Sequence, residues 1–88
     1  MPWYRVEIPG SDVAVKSANA LMDKFLAVCV SAGAPSEARV YHGKSSAGDH
    51  IYLFSPEAAA LAGDLLQKFR ATPVSDEPGL DSFRLVKV

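Results

Sequence analysis

Two strand-like runs, "EARVYHG" (37–43) and "DHIYLFS" (49–55), flank the short stretch "KSSAG" and are bracketed on both sides by segments of helical periodicity. No other feature limits the fold as much. Small, flexible residues between two runs rich in β-branched and aromatic side chains close an antiparallel hairpin. A helix on either side of that hairpin has to carry the chain back across the sheet, so further strands are expected at the two ends.

The flanks supply them. "WYRVEI" (3–8) alternates apolar and charged residues and is stopped by Pro9-Gly10, as expected of a half-buried strand. Tyr4, Val6 and Ile8 form its apolar side, with Trp3, Arg5 and Glu7 on the other. From Ser11 to Ala32 the pattern turns helical, with Ser11, Asp12 or Ser17 available as the cap. Ala18, Leu21, Met22, Phe25, Val28, Cys29 and Ala32 make one stripe, and Gly33 and Pro35 end it. A second helix starts at Ser55, with Pro56 in the first helical position and Glu57 in the first turn. Its stripe is Ala58, Leu61, Ala62, Leu65, Leu66 and Phe69, and Gly63 within it suggests close packing on the sheet. "RATPVSDEPGLD" reads as a polar loop and "SFRLVKV" (82–88) as a closing strand.

The order is β-α-β-β-α-β, the ferredoxin-like α+β arrangement. Right-handed crossovers predict a four-stranded antiparallel sheet in the order 4-1-3-2, with both helices on one face. Eighty-eight residues form a single domain, 1–88, with no repeat or linker.

Composition narrows the function classes. Nine basic residues are scattered singly against ten acidic ones, for a net charge of −1, which does not favour nucleic-acid binding. One cysteine allows no disulfide within the chain. "MPWYRVEIPG" has neither a basic nor an apolar leader region, and no stretch approaches the roughly 20 apolar residues of a membrane span. A cytoplasmic location without a membrane partner is expected. No cofactor motif is present, and no motif identifies a reaction, so a non-catalytic protein is favoured.

Function is sought on the open sheet face. Placing Ile51 and Leu53 beneath the helices leaves Trp3, Arg5, Glu7, His50, Tyr52 and Phe54 on that face, with Glu7 near His50 and Trp3 near Phe54. Such an aromatic patch points to a binding surface, and homodimerisation through it is the leading reading. The two histidines depend on the register of the hairpin. A loop of three or five residues puts His42 opposite His50 on one face, and a loop of four divides them. If they share the open face, His42, His50 and Glu7 are candidate ligands for zinc or iron; the simpler reading is a histidine pair without metal. Cys29, in the middle of an apolar stripe, reads as a buried hydrophobe. Ser45 and Ser46 lie close to the histidines but lack any nucleophile signature.

Other functions were weighed at their motifs. There is no C-x-x-C after the first strand, no basic-glycine-aromatic signature on the third, and no arginine between Arg5 and Arg39 to serve as an acylphosphatase-type phosphate ligand. "EIPGSD" resembles the Pro-Gly turn after the first strand of ACT regulatory domains. That resemblance covers only these residues, and it implies a small-molecule ligand near Pro9, Gly10, Ser11 and Asp12. A small enzyme using His42 or His50 in a pocket at a dimer interface is the remaining alternative.

Overall fold

A computed structural model describes residues 2–33, 36–74 and 82–87, with the backbone alone at 12–15, 17–18, 32 and 87. The elements are β1 (Trp3–Ile8), α1 (Asp12–Ala32), β2 (Val40–Lys44), β3 (His50–Phe54), α2 (Pro56–Lys68), β4 (Thr72–Val74) and β5 (Arg84–Lys87). The protein is α+β, with two helices and an antiparallel sheet in the order β4-β1-β3-β2-β5.

The expected count of four strands is corrected to five among the described residues. The run that should have closed the sheet beside β1 lies instead at the opposite edge, where β5 pairs with β2. Its anticipated place is taken by β4, a three-residue strand centred on Pro73 within the stretch expected to be a loop. Pro73 has no N–H, and proline is tolerated in a sheet at such an edge. The rest of that loop, residues 75–81, lies outside the described residues.

α1 starts at Asp12 with Ser11 immediately before it, and Gly33 follows its end at φ +61°, the left-handed conformation that glycine adopts without Cβ strain. Leu21, Met22, Phe25 and Cys29 are buried as the stripe predicts. The side chains of Ala18 and Ala32, and those of the cap candidates Asp12 and Ser17, lie outside the described residues, as does Pro35. α2 is capped by Ser55, whose hydroxyl accepts the Ala58 N–H at 3.2 Å. Ala58, Ala62 and Leu66 are buried, with Leu61, Leu65 and Phe69 packed at the margin. Gly63 does not mark close packing: it is exposed, and a Cβ added there would meet nothing within 4 Å.

Both helices pack on one side of the sheet. Their buried residues form a single cluster with Val6, Ile8, Val40, Tyr52 and Phe54. Phe25 of α1 meets Phe54 of β3 edge to face, with centroids 5.3 Å apart at 86°, a geometry favoured by the ring quadrupoles. Phe54 is completely buried. The assignment of Ile51 and Leu53 to the helix side is therefore corrected: β3 has the opposite facing. As the central strand it is buried on both sides, so its hydropathy does not show which face is which.

Candidate functional site

The register sorts the candidate residues into two groups. On β1, Tyr4 pairs with Phe54, Val6 with Tyr52 and Ile8 with His50; Glu7 pairs with Ile51 and Arg5 with Leu53. Directly opposed residues share a face. His50, Tyr52 and Phe54 thus lie on the helix side, and Trp3, Arg5 and Glu7 remain on the open side as expected. Glu7 is not beside His50, nor Trp3 beside Phe54.

Among the described residues, the face away from the helices carries side chains from all five strands, Thr72 and Val74 of β4 included through their pairing with Arg5 and Trp3. Tyr41 and Gly43 join it from β2, Ile51 and Leu53 from β3, and Leu85 from β5 through its pairing with Tyr41. The Trp3 and Tyr41 rings meet across β3 at 5.9 Å between centroids, tilted by 37°. Leu53, on the same face of the intervening strand, is buried, while Leu85 is 44% exposed. Beside them Arg5 Nη1 donates to Glu7 Oε2 at 2.8 Å. This ion pair is open to water and contributes little stability, but it fixes the orientation of two opposite charges next to the aromatic rings. At the hairpin end, a Cβ on Gly43 would come within 2.8 Å of the Phe83 ring. Glycine lets that ring lie directly on the strand. Tyr41, Phe83 and Leu85 were not anticipated. Tyr41 alternates between two plausible core residues, and the glycine in β2 was the available sign of a close approach.

The second group surrounds the histidines. Lys44 pairs with His50, so the loop holds the five residues 45–49. The histidines share a face as expected of that length, but the expected direct opposition is corrected, because His42 lies opposite Tyr52 and only diagonally from His50. That face is the helix side, not the open one. Inside the loop, Ser45 N–H donates to the Asp49 carbonyl at 2.9 Å and Gly48 N–H to the Ser45 carbonyl at 3.0 Å. The Ser45 hydroxyl accepts the Asp49 N–H at 3.1 Å, so this serine shapes the turn. A Cβ on Gly10 would lie 2.6 Å from the Gly48 carbonyl oxygen. The Pro9-Gly10 turn is therefore packed onto the hairpin loop, and Gly48, at φ +87°, needs its own conformational freedom. The Asp12 side chain, named with that turn as a ligand position, lies outside the described residues.

His42 Nε2 and His50 Nδ1 are 2.9 Å apart, a hydrogen bond in which one ring donates and the other accepts. The rings are nearly parallel, at 21° with centroids 5.2 Å apart. His42 also packs on Tyr52 at 4.9 Å. Burial, with His50 and then Lys44 beside it, holds His42 below its ordinary pKa, and burial pushes the Tyr52 phenol up. Glu7 faces away from the pair, so the trio His42, His50 and Glu7 is not assembled. Among the described residues, no group of three or more His, Cys, Asp or Glu side chains is placed to hold a metal ion.

A cavity of about 290 Å³ lies between α2 and β1, lined in part by Pro2, Tyr4, Pro56, Ala59 and Leu66. Its lining contains neither histidine. No helix among the described residues is long and apolar enough to cross a membrane. Comparison of the chain with protein-family models, curated proteins and solved structures finds no match.

Proposed function

We propose that the chain is a small, non-catalytic interaction module of ferredoxin-like kind, with one added edge strand, that self-associates through its open sheet face. The Trp3–Tyr41 ring pair carries this reading. Large aromatic side chains bury much area at little entropic cost, which makes them natural centres of an interface. Leu85 extends the apolar surface on one side, and the Arg5–Glu7 pair supplies paired charges on the other. In a two-fold dimer the same patch meets itself, so Arg5 of one copy can reach Glu7 of the second without any net charge being buried.

An enzyme with His42 or His50 enclosed by that interface does not follow from this arrangement, because the histidines lie on the other side of the sheet. The test is sedimentation velocity over a wide concentration range, on the parent chain and on Trp3→Ala/Tyr41→Ala. A concentration-dependent dimer that the double substitution abolishes supports the reading. A monomer at high micromolar concentration overturns it.

A further inference from the structure

The diagonal placement of His42 and His50 brings two imidazole nitrogens from different strands to 2.9 Å, and both rings are only half-buried. That separation has a chemical meaning beyond a hydrogen bond. Imidazole nitrogens bind first-row divalent ions at about 2.0–2.1 Å. Two of them at right angles around one ion lie about 2.9 Å apart, and at a tetrahedral angle about 3.3–3.4 Å. We propose that His42 Nε2 and His50 Nδ1 form a two-histidine site for a divalent transition-metal ion with right-angled coordination, copper(II) or nickel(II), with water in the remaining positions.

The rings need only turn about their side-chain bonds so that both lone pairs converge on one point. In the neutral pair one of the two nitrogens carries the bridging proton. On binding, that proton leaves and the same ring is protonated at its other nitrogen. Starting from two neutral rings, the exchange releases no net proton. Among the described residues, the strand neighbours of the pair on its face include Tyr52 on β3, Lys44 on β2 and, across from His42, Arg84 on β5. Lys44 and Arg84 oppose a cation, so neutralising Lys44 strengthens binding.

The experiment is calorimetric titration of nickel(II) chloride into the untagged full chain at neutral pH, with His42→Gln, His50→Gln and Lys44→Gln beside the parent. One ion per chain is expected. Loss of a group that merely supports a metal ligand costs about 10–100-fold in affinity, so loss of either ligand should weaken binding at least about tenfold. Lys44→Gln should tighten it. Amide spectra of the unsubstituted chain provide a readout independent of any variant: paramagnetic broadening should centre on residues 42, 44, 50 and 52. No binding by the parent, histidine variants that bind as tightly as the parent, or broadening centred elsewhere overturns the proposal.

Discussion

Ser55 and Arg39 hold each other through two hydrogen bonds: the Arg39 N–H donates to the Ser55 hydroxyl at 2.9 Å, and the Ser55 N–H donates to the Arg39 carbonyl at 2.9 Å. The same hydroxyl donates to the Glu37 carbonyl at 2.7 Å and accepts the Ala58 N–H. One buried oxygen thus caps α2 and fastens the segment that leads into β2. Ser55→Ala removes the cap and leaves buried backbone groups without partners. It should cost about 2–3 kcal/mol, more than an ordinary cap deletion. Urea unfolding measures this, and a loss below about 1 kcal/mol would show that the fastening is unimportant.

The edge-to-face contact of Phe25 with Phe54 should dominate the core. Phe54→Ala is expected to destabilise by about 3–5 kcal/mol. A double-mutant cycle with Phe25→Ala should return a coupling of about 0.5–1.5 kcal/mol for the ring pair. Additive losses would mean that the rings act only through their separate volumes.

Glycines at two positions should respond in opposite directions. Gly63→Ala adds a methyl group to open space in α2 and should stabilise by about 0.5–1 kcal/mol. Gly10→Ala drives a Cβ to 2.6 Å from the Gly48 carbonyl oxygen and should destabilise by separating the turn from the hairpin loop. Thermal melts of both variants check the pair, and a stabilised Gly10→Ala would contradict the packing of these two loops.

Acid should weaken the protein through His42. Its folded pKa lies below the ordinary value of 6.5, so as pH falls the unfolded chain takes up the proton first. The contribution to stability is present above about 6.5 and is lost as pH falls through the lower folded value. Urea midpoints at pH 7.5 and pH 5 should therefore converge in His42→Gln relative to the parent. An identical pH response in both proteins would remove His42 from the account.

The α+β class, both helices and the hairpin were legible because each rests on local chemistry: a 3-4 apolar stripe, Ser55 with Pro56 and Glu57, and small residues between strand-forming runs. The facing of β3 was not legible. Alternation shows which residues go together, but in "HIYLF" both sets are apolar or aromatic, and only the fit of Phe54 against Phe25 decides which set meets the helices. Trp3, Arg5 and Glu7 accordingly lie on the side expected of them, His50, Tyr52 and Phe54 lie on the other, and Tyr41 joins the first group without a sequence signal of its own. β4 was hidden because three residues around a proline carry almost no strand signal, and the partner of β5 was a matter of long-range topology.

The positions of β4 and β5 also bear on how copies of this chain can meet. A sheet grows into a fibre by adding strands to its edges. Among the described residues one edge offers three residues, the middle one a proline with no N–H, and the other presents the exposed Arg84 at its start. The proline edge is a poor template for a new strand, and at the other edge Arg84 precedes the exposed Leu85 and Val86. For the proposed self-association this favours contact through the faces over contact through the rims, and a two-fold arrangement of faces closes at two chains instead of growing without limit.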